Sequence, residues 1–499
     1  MAFPFDNSFA RHMSGYYARC QPESCSDPEL LYLNRPLAEA LGLDLKAYST
    51  GTLAQLFSGN LLPEEAEPIA QVYAGHQFGA FNPQLGDGRA LIIGEVVSDR
   101  GDRSDICFKG SGRTPFARGG DGKAAIGPML REVLIGEALH ALGVPGTRAL
   151  AVTATGEDVY RETVLPGSVL TRVATSHIRI GTFQYFGARG QIDRVKKLAD
   201  YTIARHYPEL VNEPDRYLAL LRAVLQGTAA LVAQWMGIGF IHGVMNTDNM
   251  SIAAETIDYG PCAFMERFDP NAVFSSIDHQ GRYAYGNQPV IAQWNLARLA
   301  ETLLPLFSRD TQEATNLATE VIESFPGVYQ DAFHTTMWAK LGLRSQAGQN
   351  RCTQESLLAG WLKLLRTQRV DFTLAWRSLA DAAEGQSTTL HSLFSDRAAL
   401  DGWLRKWQDC CELDDSERGS RDPAPDRAEA MRAVNPFIIA RNHRVEHALQ
   451  TASEDGDLGP FNDLLAALQR PYNAYPGLAE YGEPAPESFT ASYRTFCGT

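Results

Sequence analysis

The spacing of apolar residues divides the chain into a strand-rich first part and a helix-rich second part. Between residues 73 and 109, apolar runs alternate with Gly and Asp turn signals, which predicts three successive antiparallel strands. Residues 128–142 carry apolar side chains at helical spacing, with Pro128 suited to a first helical turn and Gly143 to the end. Residues 144–164 again show the residue pattern typical of β-strands. The pattern therefore predicts a sheet with a helix laid on it.

Helical spacing dominates the later part of the chain. A long amphipathic helix is predicted over residues 214–236, and residues 290–410 are predicted to be mainly helical. Residues 411–431 are charged and contain prolines, which predicts an exposed linker or loop. We expect an irregular N-terminal extension with a few short helices (1–70), a β-rich unit (71–185), a mainly helical unit (186–410), and a linker with a C-terminal extension (411–499).

Composition and charge exclude several classes of protein. The 499 residues have a formal net charge of -14, so the chain as a whole should not attract nucleic acid or anionic membranes. Its eight cysteines are too sparse for a disulfide scaffold and lack paired CxxC spacing, which favours a reducing compartment. The start shows no signal-peptide pattern, and the longest apolar runs fall short of the ~20 residues of a membrane span. We expect a soluble, cytoplasmic protein without nucleic-acid or membrane partners.

The order of the predicted elements is the ground plan of a protein kinase. A glycine-rich turn, a strand ending in Lys, a helix carrying Glu, a long helix and an Asp-x-Gly segment follow one another. We therefore predict an α+β, protein-kinase-like bilobal fold, with a β-rich N-lobe and a mainly helical C-lobe between the two extensions.

The first candidate site residues lie in the strand-rich part. Gly86 and Gly88 would let backbone N–H groups approach phosphates, and Arg89 adds a bidentate donor, although a lone GxG turn is more often a plain hairpin. Lys109 ends a strand and Glu132 lies on the next helix. Each alone would be an ordinary surface charge, but a Lys–Glu pair in these positions holds phosphates in register in kinases.

The segment RTPFARGGDGKAAIG, residues 113–127, resembles a Walker A loop without being one. Ala117 stands where the first glycine is required, and Ala124 stands where Ser or Thr should hold magnesium. A flexible glycine loop carrying Arg118, Asp121 and Lys123 would still be able to close over a polyphosphate. A solvated connection is the alternative.

The stretch FIHGVMNTDNMSIAAETIDYGP, residues 240–261, resembles a kinase catalytic loop that lacks its base. His242 and Asn249 keep the expected interval, but Val244 stands at the position of the catalytic Asp. Asp258 matches the metal-binding Asp of an Asp-Phe-Gly motif, and Asn249 with Asp258 would make a hard-oxygen Mg²⁺ site. Asp248 is the other acid of the loop and is the candidate to accept a proton from an attacking hydroxyl.

Simpler interpretations apply to each of these fragments. Asp248-Asn249 read alone would be a turn, and Asp258 an unrelated turn acid; only their joint presence favours a nucleotide site. His242 is predicted to be a structural histidine bonded to the backbone, because no second His or Cys lies at ligand spacing. Arg172 and Arg179, seven residues apart, could clamp terminal phosphates or be surface charges.

Long stretches of the sequence resemble the selenoprotein O (SelO) family of protein adenylyltransferase pseudokinases. The matching blocks are QVYAGHQFGAFNPQLGDGRALIIGEV, KGSGRTPFARGGDGKAAIGPMLREV, SVLTRVATSHIRIGTFQYF and HGVMNTDNMSI with ETIDYGP. The resemblance implies a kinase-like fold that binds ATP in a flipped orientation. AMP, rather than the γ-phosphoryl group, would then pass to Ser, Thr or Tyr hydroxyls of proteins, and pyrophosphate would leave.

The resemblance also implies roles for individual residues. Asp248 would accept the proton, Asn249 and Asp258 would bind Mg²⁺, with Mn²⁺ as the alternative metal, and Glu132 would pair with Lys109. The residues implied as contacts of the co-substrate ATP are Gly86, Gly88, Arg89, Lys109, Asp121, Gly122, Arg172, Arg179 and Asp258.

Two points stay open from sequence. Members of this family often carry a cysteine or selenocysteine near the C-terminus, which Cys497 matches, but residues 271–278 hold no partner cysteine and Cys262 lies nearer the Asp258 segment. Cys497 is therefore expected to be a simple thiol. Two other functions also fit the residues: a phosphotransferase whose base moved to Asp248, and a nucleotide-binding scaffold without activity.

Overall fold

A computed structural model of the chain describes residues 3–343, 349–418 and 423–496. It has an α+β architecture, as predicted. The strands are β1 Tyr17–Arg19, β2 Glu29–Leu33, β3 Ile69–Gln71, β4 Gly75–Gln77, β5 Ala80–Asn82, β6 Ala90–Val97, β7 Arg103–Lys109, β8 Ala124–Ala125, β9 Arg148–Tyr160, β10 Val164–Ala174, β11 Phe240–Ile241 and β12 Ala263–Phe264.

The helices lie mainly in the second part of the chain. They are α1 Ser8–His12, α2 Arg35–Ala40, α3 Thr50–Ser58, α4 Ile126–Ala141, α5 Ile180–Gly187, α6 Ile192–His206, α7 Arg216–Ile238, α8 Gln288–Phe307, α9 Thr311–Lys340, α10 Gln349–Thr367, α11 Phe372–Ala383, α12 Thr388–Ser392, α13 Arg397–Arg418, α14 Pro423–Val434, α15 Asn442–Glu454, α16 Gly459–Leu468, α17 Ala479–Gly482 and α18 Glu487–Ser492.

One antiparallel sheet organises the first part of the chain. Its strand order is β1-β3-β6-β7-β10-β9-β2, and β8 also pairs with β10. The register places Lys109 opposite Leu170, and Cys107 opposite Arg172. Because side chains alternate between the faces of a sheet, Lys109 and Arg172 project from the same face. Helix α4 packs on this sheet, as the apolar spacing predicts, and carries Glu132 toward Lys109.

The prediction of three strands between residues 73 and 109 is correct for the last two. β6 and β7 form the expected antiparallel hairpin. The first predicted strand is instead a separate small hairpin, β4–β5, whose two-residue turn is Phe78–Gly79. Both turn residues have positive φ, 51° and 87°, as in a type I′ turn. Asn or Gly is usual at the first of these positions, so Phe78 gives no hairpin signal in the sequence.

The N-terminal segment is more regular than predicted. Short helices are present as expected, but β1 and β2 complete the two edges of the main sheet. β1 pairs with β3, and β2 pairs with β9. Residues before 70 therefore form part of the same sheet that carries Lys109.

The predicted linker at residues 411–431 is wrong for most of its length. Residues 411–418 continue α13, and α14 begins at Pro423, where a proline is tolerated in a first helical turn. Arg427 is buried and donates to the carbonyl oxygen of Cys411 at 2.9 Å. Some charged side chains of this segment therefore make buried contacts between two helices. Composition alone cannot distinguish such side chains from solvated ones.

Helix α7 is the core of the helical part. Among the described residues it is the one helix long and apolar enough to cross a membrane by length and composition, and 61% of its most apolar window is buried inside the structure. Leu221, Val232 and Ala233 are fully buried. The apolar surface of α7 is therefore largely covered by neighbouring helices, including α8 and α9.

Lys340, the last residue of α9, is buried near two aromatic rings. Its Nζ lies 5.0 Å from the ring centre of Trp376 and 5.9 Å from that of Phe372. Burial lowers the pKa of this ammonium group to about 7. In the unfolded chain the pKa would be about 10.4, so below that pH the unfolded state binds the proton more readily and folding is penalised.

We expect Lys340→Met to stabilise the fold at neutral pH. The penalty is largest below pH 7, falls as the pH rises above 7, and disappears only above about pH 11, because the unfolded lysine then also loses its proton. The gain in the free energy of unfolding should be about 2 kcal/mol at pH 7, reduced from the full pKa shift by the ring contacts. Chemical denaturation at pH 7 and pH 10 tests this, with Lys363→Met, an exposed lysine of α10, as the control. A gain at pH 10 as large as the gain at pH 7 would contradict the assignment.

Candidate active site

The predicted site residues surround a single cavity of about 490 Å³. It lies between the main sheet with α4 on one side and residues 244–261 on the other. Its volume is in the range of pockets that hold nucleotide-sized ligands. The predicted residues that line it are Gly86, Gly88, Arg89, Lys109, Asp121, Gly122, Arg172, Arg179, Asp248, Asn249 and Asp258. Their roles stay predictions, but their convergence is a property of the fold.

Lys109 forms the ion pair that the order of elements predicts. Its Nζ donates to Glu132 Oε1 at 2.7 Å and to Asp258 Oδ1 at 2.9 Å. Arg172 Nη1 donates to the same Asp258 oxygen at 2.7 Å and lies 3.8 Å from Glu132 Oε2. Strands β7 and β10, helix α4 and the loop after β11 therefore meet at these four side chains.

Arg179 joins this cluster from the start of α5. Its Nη1 lies 3.3 Å from Asp258 Oδ2 and donates to the backbone carbonyl of Asp248 at 2.7 Å. The guanidinium group also lies 4.7 Å from the ring centre of Tyr73. The arginine thus links the two acids of the loop and is fixed against an aromatic face.

The charges in the cluster strongly favour an ionised Asp258. Burial opposes ionisation, but Lys109, Arg172 and Arg179 outweigh it and lower the pKa of this carboxyl well below its usual range. Asp258 also has a backbone φ of 67°, a conformation that costs energy for a non-glycine residue. Strain of this kind is typical of functional sites.

Asp248 lies in a different environment, inside the short 3₁₀ turn Thr247–Asn249. Its Oδ2 accepts a hydrogen bond from Gln77 Nε2 at 3.0 Å, while its buried Oδ1 has no partner among the described residues. Burial raises the pKa of the Asp248 carboxyl to about 6. Such a carboxylate is still ionised at pH 7 and is a stronger base than an ordinary Asp.

The remaining loop residues support these two acids. His242 is structural, as predicted, because its Nε2 lies 3.0 Å from the carbonyl oxygen of Ile257, and burial lowers the pKa of its ring to about 4. Asn249 Nδ2 donates to the carbonyl of Val244 at 3.0 Å, which leaves its Oδ1 as the acceptor of that side chain. Asn249 and Asp258 therefore offer one amide and one carboxylate oxygen at the same cavity, a donor set that suits Mg²⁺.

A metal cage of the zinc type is absent from the described part of the chain. No cluster of three or more His, Cys, Asp or Glu side chains within residues 3–343, 349–418 and 423–496 is arranged to hold an ion. The pair formed by Asn249 and Asp258 fits only a metal that takes most of its ligands from water and a bound phosphate.

The glycine loop at residues 116–123 forms one wall of the cavity. Gly122 has φ of 72°, and a Cβ there would lie 2.0 Å from the carbonyl oxygen of Gly112, so no other residue fits. Asp121 is bound by Arg161 of the β9–β10 hairpin at 2.7 and 3.1 Å, and Lys123 Nζ donates to Glu157 at 2.6 Å. The loop is therefore tied to the hairpin rather than being a free connection.

The chain matches the profile of the family described as protein adenylyltransferase SelO over residues 1–469. The chain belongs to the SelO family. Three relatives named protein nucleotidyltransferase YdiU are similar to it along essentially their whole length. The one from Chromobacterium violaceum (strain ATCC 12472) is 57% identical over 484 residues, covering 97% of this chain and 99% of the relative.

The other two relatives cover all of both chains. The one from Cereibacter sphaeroides (strain KD131) is 56% identical over 501 residues, and the one from Rhizobium meliloti (strain 1021) is 53% identical over 502. The family predicted from the sequence is confirmed, and so is the prediction that this SelO protein is a nucleotidyltransferase enzyme. ATP is the co-substrate that an adenylyltransferase family implies.

Several polar residues of this SelO site were not found from sequence, among them Gln77 and Arg161. Gln77 contacts Asp248 from the β4–β5 hairpin, and Arg161 binds Asp121 from a turn 40 residues further along the chain. Neither belongs to a kinase motif. The unusual run of Gly and aromatic residues in GHQFGAF was the available signal for the first, and nothing local indicated the second.

The cysteines do not form a pair in the described part of this SelO chain. Cys262 is buried, and its Sγ lies 3.0 Å from the carbonyl oxygen of Tyr259. Burial raises the pKa of its thiol to about 12. Cys497 lies outside the described residues. Cys262 is thus an inert core thiol in this conformation.

Proposed function

We propose that this enzyme transfers AMP from ATP to Ser, Thr or Tyr hydroxyls of proteins and releases pyrophosphate. The observation that carries the proposal is that two acids of one cavity lie in different environments. Asp258 is held ionised among three cations, while Asp248, next to Asn249 in the chain, is buried with one carboxylate oxygen that has no partner among the described residues. One acid suits a metal-bound triphosphate, and the other suits proton removal.

The transfer step follows from this arrangement. The acceptor hydroxyl oxygen attacks the α-phosphorus of ATP and forms a new P–O bond, while the bond from that phosphorus to the α,β-bridging oxygen breaks. The hydroxyl proton passes to Asp248, and pyrophosphate leaves with the electron pair of the broken bond. Lys109, Arg172 and Arg179 offset the negative charge of the departing group.

The flipped pose of ATP gives a reason for Val244 at the usual position of a kinase base. An acceptor that attacks the α-phosphate lies elsewhere along the triphosphate than one that attacks the γ-phosphate. The base would then be needed near Asp248 and not near residue 244. Gly86, Gly88, Arg89, Asp121 and Gly122 would contact the nucleotide from the opposite wall.

Magnesium fits the oxygens of Asn249 and Asp258, with Mn²⁺ as an alternative. When bound, the ion would neutralise phosphate charge and fix the triphosphate. The residues of this chain have a separate part: Lys109 and the two arginines orient the phosphates, and Glu132 holds Lys109 in position. To hold the ion, Asp258 would give up contacts with these cations, and the phosphates of ATP would be the anions that replace it there.

The wider proposal includes a kinase-like arrangement of two lobes around the cavity, supported by the Lys109–Glu132 pair and by the sheet-then-helices order. It also includes a cytoplasmic location and protein substrates. The proposal further includes no role in binding nucleic acid or membranes, which the acidic net charge and the largely buried surface of α7 support. The rival function is γ-phosphoryl transfer with Asp248 as base.

ATP carrying the label on the α-phosphate should mark protein substrate, whereas ATP labelled on the γ-phosphate should not. The reason is that only the AMP moiety remains on the acceptor. Incorporation into protein, followed by intact-mass spectrometry in the presence of Mg²⁺, distinguishes added AMP from added phosphate. Transfer of the γ-label in place of the α-label would establish the kinase alternative, and neither label on any protein would support the inactive scaffold.

A further inference from the structure

The turn of the β4–β5 hairpin carries a residue that local backbone preferences disfavour. Phe78 has φ of 51°, in the left-handed region, where Asn or Gly is usual at the first position of a type I′ turn. Phe78 is 36% exposed and lines the cavity. A bulky apolar residue that is both strained and exposed lowers stability, so a role outside the fold is the better explanation.

The hairpin is bound directly to the loop that carries Asp248. His76 N donates to Thr247 Oγ1 at 2.7 Å, Gln77 Nε2 donates to Asp248 Oδ2 at 3.0 Å, and Phe78 N donates to Asn246 Oδ1 at 3.1 Å. The approach requires glycine at position 75, since a Cβ there would lie 2.3 Å from Asp248 Oδ1. The position of the Phe78 ring is therefore fixed relative to the proposed base.

An apolar and cationic surface continues outward from this point. The Phe78 ring centre lies 5.1 Å from that of Tyr283, and Ile277, 49% exposed, also lines the cavity. Arg282 lies beside the turn, with its guanidinium group 4.7 Å from the ring centre of Trp294. Among the described residues no carboxylate pairs with Arg282. The nearest acid, Asp278, is buried and accepts a hydrogen bond from the backbone N of Arg282 at 2.9 Å. This surface thus offers two apolar contacts and one guanidinium group that forms no ion pair with a described residue.

We propose that Phe78, Ile277 and Arg282 form the acceptor surface of the enzyme. It would hold an extended polypeptide segment that has an apolar residue beside the modified hydroxyl and an acidic residue close by. The proposal rests on the proposed function in that the acceptor is a protein. Continuity of the surface with the cavity at Asp248 argues for the acceptor, and the charge of Arg282 argues for its acidic residue.

Phe78→Asn tests the apolar contact without disturbing the turn. It creates the Asn-Gly pair that type I′ turns favour, so folding should be retained. Arg282→Met tests the acidic preference with a side chain of similar length. Leu61→Asn removes an apolar side chain of similar exposure, 40%, that does not line the cavity, and it serves as the control. The probe is a degenerate peptide library with one central Ser, Thr or Tyr, supplied with doubly labelled ATP.

The wild type and Leu61→Asn should enrich apolar and acidic residues around the modified hydroxyl. Phe78→Asn should lose the apolar enrichment, with kcat/KM for the preferred peptides reduced about tenfold, and Arg282→Met should lose the acidic enrichment. The Kd for ATP should stay unchanged in both. The proposal would be overturned if the enrichment of flanking residues were the same in all four proteins. It would also be overturned if the wild-type enzyme modified only itself and no peptide.

The two proposals fail in different ways. If the γ-label is transferred in place of the α-label, the proposed function is wrong, but the flanking preferences can still be read from the modified peptides. If the α-label is transferred without any flanking preference, AMP transfer stands and the acceptor surface is wrong.

Discussion

Replacement of Asp258 by Asn should reduce AMP transfer by more than about 100-fold. The loss of a residue that merely supports a metal ligand typically costs about 10- to 100-fold, and Asp258 is proposed as the ligand itself. Incorporation of α-labelled AMP into protein measures the effect. ATP titrations with and without Mg²⁺ should show that the variant has lost the contribution of the metal to affinity but still binds the nucleotide, because Lys109, Arg172 and Arg179 remain.

The same substitution should lower stability, which needs its own measurement. Three cations share the Asp258 carboxylate, and removal of one partner of a buried ion pair costs about 3–5 kcal/mol; the partial exposure of Asp258, 22% of its side chain, places it at the lower end. Activities should therefore be compared at a temperature where both proteins are folded. Asp158→Asn, an exposed carboxylate on β9, should change neither property. Normal transfer by folded Asp258→Asn would remove Asp258 from the site.

The elements that depend on local signals were predicted from the sequence pattern. Strong apolar periodicity identified β6, β7, α4, β9 and α7, because each buries one or both faces within a short stretch of chain. The edge strands β1 and β2 are short and half-exposed, so their pairing with β3 and β9 depends on contacts from distant sequence. The same is true of residues 411–431. Composition predicts a surface charge at Arg427, because its burial depends on contacts between helices.

The candidate site was predictable to the extent that it follows motif positions. Lys109, Glu132, Asn249 and Asp258 have places fixed by the order of elements, and the fold brings them together around one cavity. The balance of charge was not predictable. Two arginines and a lysine converge on one carboxylate because of the register of β7 against β10 and the position of the start of α5. No motif specifies either of these.

The β4–β5 hairpin shows why the acceptor side of the site was harder to predict than the nucleotide side. Phosphate binding reuses a few backbone and cation patterns, which leave recognisable spacing in the sequence. Contacts with an acceptor vary with the substrate, and here they begin at a turn whose first residue breaks the usual preference. Local reasoning fails at Phe78 for the same reason that makes the residue a functional candidate.

Asp248→Asn should reduce transfer by about 100- to 10,000-fold, the usual contribution of a positioned general base. The substitution keeps an oxygen for the hydrogen bond from Gln77 Nε2 and changes volume little, so the hairpin and the loop should stay in place. What disappears is the ability to accept the hydroxyl proton. Steady-state rates with α-labelled ATP should show the loss in kcat, while the Kd for ATP and the melting temperature stay near those of the wild type.

The combination of a low kcat with intact nucleotide binding distinguishes a base from a residue that holds the triphosphate. Asp99→Asn, an exposed carboxylate in the turn between β6 and β7, is the matched control and should behave as the wild type does. A comparable loss of ATP affinity in Asp248→Asn would mean that Asp248 binds nucleotide or metal. Transfer within about tenfold of the wild type would mean that the hydroxyl loses its proton to another group, since a positioned base contributes about 100-fold or more.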